Sequence, residues 1–496
     1  MFVRLVTLGA DSPGPEGARR TARRGRRHGA PDPDPDPDRR RYPGPVTALI
    51  WFRDDLRLTD HAALRAGAED RGGVVALYVL DEESPETRPL GGAAKWWLHE
   101  SLTRLSAELA AHGVPLVLRR GPAEQIVHEV ADEAGADRVY WNRRYGDERA
   151  IDARLKLALR ERGIAAHSFR GGLLFEPWTV LTSGGSPYRV YSPFWRACLA
   201  APEPAAPEPA PDTLRAGGAA PASDDLQAWA LQPTSPDWAG GLAARWEPGE
   251  RAALATLERF LSERAADYEA GRDIPALDVG SELSPHLRWG EISPRTVWHR
   301  TLEAGVSAGG FLSELGWREF AWYTAFHNGR LHEQGLNAQY DAFPWREYDA
   351  ETVGPWQRGE TGFGLVDAGM RELWQTGFMH NRVRMVVASF LSKNLLTDWR
   401  VGEAWFWDTL VDADPASNPF NWQWVAGCGV DAAPYFRIFN PATQQQKFDA
   451  SGEYVARWAP ESIMLPELVD LRETRLRALA AYDSIRGASR ERPASE

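Results

Sequence analysis

The amino-terminal part of the chain alternates short apolar runs with longer helical periods. Four short runs are mainly apolar, which is typical of buried parallel strands: "VTALIWF", "GGVVALYVL", "PLVLRR" and "RVYW". Helical periodicity lies between them, as in "AAKWWLHESLTRLSAELAAHG", which closes on Gly113. Because strand and helix alternate, we predict an α/β domain with a parallel, Rossmann-like sheet over residues 47–180.

The second half of the chain has almost only helical periodicity. Stretches such as "ERAALATLERFLSERAADYEAG" and "FLSELGWREFAWYTAFH" repeat apolar positions every three to four residues. We therefore predict an all-α domain over residues 247–482. Between the two domains, residues 181–246 contain "AAPEPAAPEPAPD", whose alanine and proline content favours an extended interdomain linker.

Both ends of the chain have the composition of disordered segments. Residues 1–46 carry "ARRTARRGRRHGAPDPDPDPDRRR", which has too few apolar residues to bury a core. An alternative is that translation begins near Val46, in which case this extension is a mis-assigned start. Residues 483–496 are expected to form a disordered polar tail.

Composition narrows the class of protein. The 496 residues carry a formal net charge of −12, so any nucleic-acid partner must be bound by a local basic patch. The two cysteines, Cys198 and Cys428, show no metal-binding spacing, so we expect no metal site and a reducing environment. No apolar run has the length of a membrane span or signal peptide. We expect a cytoplasmic monomer without membrane contact.

Two helical segments concentrate polar chemistry on one face. Positions i, i+3 and i+4 align on a helix, and in both "FMHNRVRM" and "SELGWREF" they carry functional side chains. These side chains are Asn381, Arg384 and Met385 in the first segment and Glu314, Trp317 and Arg318 in the second. Basic residues outnumber acidic ones around the first face, which beside aromatic side chains favours a nucleic-acid site over a merely solvated surface.

The stretch "DADPASNPFNWQW", residues 412–424, combines two carboxylates, an asparagine and two tryptophans. Trp422 and Trp424 are two positions apart, so on a helix their side chains diverge by about 200° and face different neighbours. The 22 tryptophans of the chain can fill cores, bind flat ligands or carry electrons, and the residues alone leave these roles open. The absence of a Gly-x-Gly-x-x-Gly or Walker loop argues against an ordinary dinucleotide or ATP site.

Five long blocks, in order along residues 47–480, resemble the photolyase/cryptochrome family, and most closely its bacterial members that repair cyclobutane pyrimidine dimers. The blocks are "LIWFRDDLRLTDHAAL", "GRDIPALDVGSELSPHLRWGEISPR", "SELGWREF", "TGFGLVDAGMRELWQTGFMHNRVRMVVASFLSKNLLTDWRVGE" and "NWQWVAGCGVDAAPYFRIFNPATQQQKFD". The resemblance implies an α/β antenna domain followed by a helical FAD-binding domain, in agreement with the hydrophobic pattern.

The resemblance implies a U-shaped FAD, active in its reduced form FADH⁻. The loop from Gly280 to Ser284 would surround the phosphates, and Gly280 replaces a threonine common in the family. Asn418 would lie beside flavin N5, where a neutral amide avoids the repulsion that a carboxylate would impose on an anionic flavin. By motif position, the cofactor-binding residues are Tyr268, Gly280, Ser281, Glu282, Leu283, Ser284, Phe311, Arg318, Arg384, Asp412, Asp414 and Asn418.

The activity implied is light-driven cleavage of cyclobutane pyrimidine dimers in UV-damaged DNA, a carbon–carbon lyase reaction driven by electron transfer from excited FADH⁻. Trp317 and Trp424 would form flat walls of the lesion pocket, Glu314 would hydrogen-bond the lesion, and Asn381 would hydrogen-bond the cofactor or the lesion. Met385 matches dimer-specific members. The residues that match DNA-facing positions are Arg272, Arg382, Arg437, Gln444 and Lys447.

The resemblance also implies a tryptophan relay and an antenna chromophore. Trp422 would be the indole nearest the flavin, followed by Trp399 and then Trp345 toward the surface. Asp147 and Glu148 match the acidic contact of folate-binding members, so we expect 5,10-methenyltetrahydrofolate, with 8-hydroxy-5-deazaflavin as the alternative. An Asp-Glu pair at a helix start can equally serve to compensate the helix dipole.

Three alternatives to dimer repair remain at this stage. A cryptochrome-type blue-light receptor usually carries a long carboxyl-terminal extension, and plant cryptochromes have aspartate where this chain has Asn418. A (6-4) photolyase relies on histidine in its pocket, whereas Met385 and Glu314 match dimer photolyases. A nucleotide-binding electron-transfer flavoprotein would need neither the tryptophan pair nor the basic face.

Overall fold

The computed structural model describes residues 46–70, 72–305, 309–431 and 436–490. The predicted disordered extension lies outside the described residues, apart from Val46. Within the described residues, no helix combines the length and the apolar character needed to cross a membrane.

The amino-terminal domain is built on a parallel sheet of five strands in the order β3-β2-β1-β4-β5. The strands are β1 (Ala48–Phe52), β2 (Val74–Leu80), β3 (Leu116–Arg120), β4 (Arg138–Asn142) and β5 (Ala165–Phe169). Four helices cover the two faces: α1 (Ala62–Ala68), α2 (Gly92–Ala111), α3 (Ala123–Ala134) and α4 (Arg149–Glu161). β1 and β2 are buried throughout because helices cover both faces, which explains their unbroken apolar sequence.

The connection between the domains differs from the predicted extended linker. Residues 181–246 contain helices α5 (Tyr191–Ala200) and α6 (Gly240–Arg245) and the 3₁₀ turn Leu226–Trp229. Apolar side chains along it are buried, among them Phe194 in the core of the helical domain and Trp229 in that of the sheet domain. Since it packs against both domains, the segment is part of the folded body.

The carboxyl-terminal domain is helical, as predicted. Its α-helices are α7 (Glu250–Arg259), α8 (Tyr268–Gly271), α9 (Ser284–Arg288), α10 (Pro294–Glu303), α11 (Gly309–Asn328), α12 (Ala350–Arg358), α13 (Gly364–Thr376), α14 (Asn381–Ser389), α15 (Trp399–Thr409), α16 (Ser417–Ala426), α17 (Pro441–Phe448), α18 (Glu453–Trp458) and α19 (Leu471–Arg490). π-helical turns at Phe260–Arg264 and Phe390–Asn394 and 3₁₀ turns at Pro177–Thr179, Ala338–Ala342 and Ser462–Met464 complete the described elements. α19 runs into the predicted polar tail because Ile485 is still buried.

Buried polar contacts join the two domains. Glu250 at the start of α7 accepts the backbone N–H of Leu58 at 2.6 Å, in the loop after β1. Gly290 has a φ of 61°, and a Cβ atom there would lie 2.0 Å from the carbonyl oxygen of Asp54. Only glycine therefore permits this approach between the domains.

Glu319 on α11 binds the segment that leaves the sheet domain. Its burial leads us to expect that the stability of the protein depends on pH. Its buried carboxylate accepts the N–H groups of Leu174 at 2.9 Å and Phe175 at 3.2 Å. Burial raises the pKa of Glu319 to about 7, although Arg318 and the two N–H groups act in the opposite direction. The unfolded chain therefore loses this proton at a lower pH than the folded chain. The free energy of unfolding falls as the pH rises from ~4.5 to ~7.

We expect Glu319→Gln to remove this component of the pH dependence. Urea unfolding should show similar stability of the two proteins near pH 4.5 and a variant about 2–3 kcal/mol more stable near pH 8. Burial also raises the pKa of Glu108. Since both proteins retain Glu108, its contribution cancels, and the difference between the two pH profiles reports Glu319 alone. Parallel pH profiles would show that Glu319 carries no buried proton.

Candidate functional site

Two adjoining cavities in the helical domain share Ser284, Leu287 and Arg384 as lining residues. Their volumes are about 330 Å³ and 30 Å³. Residues predicted to bind the cofactor line the larger cavity at Tyr268, Gly280, Ser281, Glu282, Leu283, Ser284, Phe311 and Arg384, and the smaller at Ser284, Arg318, Arg384, Asp412, Asp414 and Asn418. The structure thus brings the whole predicted cofactor set together.

The loop from Gly280 to Ser284 forms one wall of the larger cavity and is held under backbone strain. Glu282 has a φ of 55°, in the left-handed region that costs a non-glycine residue about 1–2 kcal/mol. Its carboxylate pairs with Arg245 at 3.3 Å and with Arg264 at 3.2 Å, which offsets the strain. A strained loop fixed by its surroundings is characteristic of ligand-binding segments.

A buried ion pair separates the two cavities. Arg384 on α14 forms parallel contacts with Asp412, Nη1 to Oδ1 at 3.0 Å and Nη2 to Oδ2 at 2.9 Å. Arg384 Nε also donates to the carbonyl of Met379 at 2.7 Å. Burial alone would raise the pKa of Asp412, but the guanidinium charge and hydrogen bonds from Arg384 and Ser284 hold it below its ordinary value. Asp412 is therefore an anion fixed at the cavity wall.

Asn418 on α16 has its amide orientation set by its neighbours. Its Nδ2 donates to the backbone carbonyl of Glu403 at 3.0 Å and to Glu403 Oε1 at 2.8 Å. Both partners are acceptors, so only the nitrogen of the amide can occupy this position. Asn418 also lines the smaller cavity, which leaves its Oδ1 as the atom available to a ligand there.

Glu314 and Asn381 line the larger cavity together with the predicted cofactor residues. Glu314 Oε1 lies 2.7 Å from Arg272 Nη1, and both side chains are almost fully buried. This pair carries no net charge, so the predicted lesion contact is a carboxylate and a guanidinium side by side. Asn381 Oδ1 is buried and has no hydrogen-bond partner among the described residues.

The two predicted lesion-pocket tryptophans are placed differently from Glu314. Trp317 stacks on Tyr191 of α5, with ring centroids 3.7 Å apart and an interplanar angle of 14°. Trp424 donates its indole N–H to the carbonyl of Asp431 at 2.9 Å. Both indoles are buried, and neither is among the described residues that line the two cavities. Met385 is likewise buried behind the cavity wall, 3.8 Å from Arg382 Nη1.

The predicted DNA-facing residues are two arginines paired with carboxylates and three residues further along the chain, of which Lys447 is exposed and Arg437 and Gln444 are half-buried. Arg272 pairs with Glu314, and Arg382 pairs with Asp273 at 2.7 Å while lying over the Phe448 ring at 4.4 Å. Gln444 and Lys447 lie on α17, and Arg437 lies 5.8 Å from the Trp424 ring centroid. The acidic partners of Arg272 and Arg382 could not be predicted from local sequence. Each pair joins segments that are far apart in the chain and meet only in the folded domain.

The three predicted relay tryptophans lie on neighbouring segments. Trp422 is buried on α16 and contacts Phe406 at 5.0 Å and Trp356 at 6.4 Å between ring centroids. Trp399 begins α15, and a bridge between Arg346 and Thr397 brings the segment of Trp345 alongside it. Trp356, which touches Trp422 directly, was not predicted as a site residue.

A third cavity lies at the carboxyl ends of β1 and β2, where open α/β sheets bind ligands. Its volume is about 90 Å³, and its lining includes Glu148 and the indoles of Trp51, Trp289 and Trp407. Asp147, the other predicted antenna residue, instead accepts the N–H of Arg330 at 3.1 Å and so holds the helical domain. Burial raises the pKa of Glu148 above its ordinary value.

Comparison with known proteins identifies the family of this chain. The family profile described as FAD binding domain of DNA photolyase matches residues 311–482, and the profile described as DNA photolyase matches residues 48–212. A deoxyribodipyrimidine photo-lyase of Agrobacterium fabrum is 51% identical over 83% of this chain and 87% of its own length. The chain belongs to the photolyase/cryptochrome family.

Further relatives include both branches of this family. The crystal structure of a bacterial class III photolyase from Agrobacterium tumefaciens aligns with a TM-score of 0.85 and 46% identity, covering 90% of this chain and 98% of the other. Cryptochrome-1 of Arabidopsis thaliana is 37% identical over 84% of this chain and 63% of its own length. The predicted family and fold class are thus confirmed, and the relatives support DNA photolyase function at this coarse level.

The two cavities of this photolyase-family protein are lined by buried polar atoms that FAD could pair with. Five such buried atoms line them without a hydrogen-bond partner among the described residues: Arg245 Nε, Asn381 Oδ1 and Trp458 Nε1 in the larger cavity, and Arg318 Nε and Asn421 Oδ1 in the smaller. Buried polar groups are normally paired, so these atoms indicate a polar ligand. Arginines beside a strained loop suit phosphates, and amides suit the edge of a flavin ring.

Proposed function

We propose that this protein is a deoxyribodipyrimidine photolyase that splits cyclobutane pyrimidine dimers in DNA. The observation that carries the proposal is that Glu314, Asn381 and Arg272 line the larger cavity together with eight of the twelve predicted cofactor residues. Reduced FAD held there would supply the electron that opens the dimer in light and would take it back once the two carbon–carbon bonds have broken. The residues named above would bind the lesion next to that cofactor, and photolyases as a class are known to extrude their target from the duplex.

The Glu314–Arg272 pair provides complementary groups for a pyrimidine. A pyrimidine dimer presents carbonyl oxygens and ring N–H groups on its edge, so the carboxylate can accept an N–H while the guanidinium donates to a carbonyl. Because the guanidinium is already in place, it stabilises negative charge that develops on the dimer after electron transfer. Asn381 adds an amide whose oxygen has no partner among the described residues.

The experiment that tests the proposal follows thymine absorbance in an oligonucleotide with a single cyclobutane thymine dimer. The purified, chemically reduced protein is incubated with it in darkness and under blue light, beside an oligonucleotide with a (6-4) photoproduct. We expect light-dependent recovery with the first oligonucleotide alone. Recovery with the second alone would establish a (6-4) photolyase. No recovery with either, in protein that holds photoreducible flavin, would favour the cryptochrome-type receptor.

We expect Glu314→Gln to slow repair about tenfold to a hundredfold without changing FAD content. The substitution keeps the side-chain volume but leaves the buried Arg272 without its carboxylate, so the dimer is bound and polarised less well. Single-turnover repair after a light flash measures the rate, and flavin absorbance measures the cofactor. Glu258→Gln, which removes an exposed partner of Arg300, is the matched control and should repair normally.

We also propose an antenna chromophore in the third cavity, with methenyltetrahydrofolate ahead of a deazaflavin. The Glu148 carboxyl group can accept the N–H groups of a pterin edge, and three indoles offer flat surfaces. Chromophore released by mild heat should show folate absorbance and fluorescence. Release of a deazaflavin would correct the identity, and a Glu148→Ala variant that keeps its folate would remove Glu148 from the site.

A further inference from the structure

Arg88 of the sheet domain is connected to Asn418 of the flavin site by a continuous chain of contacts. Arg88 Nη1 lies 2.7 Å from Glu403 Oε1, and Arg88 Nη2 lies 3.0 Å from Glu403 Oε2. The same Oε1 accepts Asn418 Nδ2 at 2.8 Å. Glu403 is 1% exposed, so its carboxylate depends on these partners for its hydrogen bonds.

The position of Arg88 is itself fixed by the helical domain. Its guanidinium lies 4.3 Å from the ring centroid of Trp407 on α15, and Trp407 Nε1 donates to the carbonyl of the neighbouring Pro89 at 2.9 Å. Glu403 lies on the same helix, one turn from Trp407. The loop after β2 therefore delivers a positive charge to one defined place beneath the flavin site.

We propose that Arg88 is a positioning residue that, through Glu403, fixes the Asn418 amide with Oδ1 facing the cofactor cavity. An ionised Glu403 only accepts hydrogen bonds, so it selects Asn418 Nδ2 as its partner. Without Arg88 the Glu403 carboxylate loses the two guanidinium hydrogen bonds that hold it against Asn418 Nδ2. The amide is then held by the backbone carbonyl of Glu403 alone, so Oδ1 faces the cofactor cavity less firmly.

The orientation of the amide decides which flavin state the site favours. Reduced flavin carries a hydrogen on N5 and oxidised flavin does not, so an oxygen at this place stabilises the reduced form and an N–H group the oxidised form. This inference rests on the proposed position of Asn418 beside N5. It assigns to a residue of the sheet domain an effect on the reduction potential of a cofactor held in the other domain.

The test uses holoprotein loaded with FAD labelled at N5 with ¹⁵N and reduced under anaerobic conditions. We expect Arg88→Met to move the ¹H and ¹⁵N signals of the N5–H group upfield and the midpoint potential to more negative values. Glu403→Gln should act in the same direction and provides a second route if Arg88→Met does not fold. Arg88→Lys keeps the charge and should stay near the wild type. Arg104→Met removes another interdomain ion pair, with Glu247, and should change neither signal.

An Asn418→Ala variant distinguishes the positioning role of Arg88 from the placement of Asn418 beside flavin N5. If Asn418→Ala shifts the N5–H signal while Arg88→Met and Glu403→Gln leave it unchanged, Arg88 has no positioning role and the proposal is wrong. If Asn418→Ala itself leaves the signal unchanged, Asn418 does not lie beside N5, and the proposal fails together with that placement. Shifts in all three variants, with normal Arg88→Lys and Arg104→Met proteins, support it.

Discussion

Replacement of Arg384 by methionine is expected to lower the free energy of unfolding by about 3–5 kcal/mol and to release bound FAD. Arg384 and Asp412 are 4% and 8% exposed, and they hold each other through two parallel hydrogen bonds. Removal of the guanidinium leaves a buried carboxylate without its charge partner, and it also removes a residue that lines both cofactor cavities. Urea unfolding of apoprotein and holoprotein, together with flavin absorbance after gel filtration, measures the two effects.

The double variant Arg384→Met, Asp412→Leu separates the energetic cost from the loss of binding. When both charges are replaced by apolar groups, no buried charge remains, and most of the lost apoprotein stability should return. FAD should still be lost, because both groups are absent from the cavity wall. An Arg384→Met protein that stays as stable as the wild type and retains its flavin would contradict the role of this ion pair.

The hydrophobic pattern predicted the elements whose burial is uniform. β1 and β2 are buried on both faces and could be located from sequence, whereas β5 was not predicted because it reads "AAHSF" and is only partly buried. The connection over residues 181–246 was read as extended because alanine and proline dominate its composition. Its few apolar residues nevertheless pack into both cores, and composition does not reveal where an isolated apolar residue goes.

The sequence named a set of site residues that the fold brings together, but it did not predict most of their pairings. The cofactor set follows from motif positions, and the fold gathers it around two cavities. Pairs such as Arg88 with Glu403 and Trp317 with Tyr191 join segments far apart in the chain. No local periodicity encodes such contacts, since they depend on how the domains dock and on which side chain covers which. The orientation of the Asn418 amide could not be predicted for the same reason, because it depends on contacts with Glu403.

Replacement of Trp422 by phenylalanine is expected to block the photoreduction of oxidised flavin while chemically reduced protein still repairs dimers. Trp422 is 1% exposed, and its indole N–H has no hydrogen-bond partner among the described residues. Gly402 lies directly against the ring, since a Cβ atom there would be 2.1 Å from Trp422 Cη2. Phenylalanine fits the same space at a cost of about 1–2 kcal/mol, but a phenyl ring is much harder to oxidise than an indole.

Trp141→Phe is the matched control for this prediction. Trp141 is also fully buried with an unpartnered indole N–H among the described residues, but it belongs to the core of the sheet domain. Blue-light difference spectra of oxidised holoprotein, recorded with an external reductant, should show normal photoreduction in Trp141→Phe and little in Trp422→Phe. Trp399→Phe should resemble Trp422→Phe if the second step also runs through an indole. Normal photoreduction in Trp422→Phe would mean that electrons reach the flavin by a route that does not pass through Trp422.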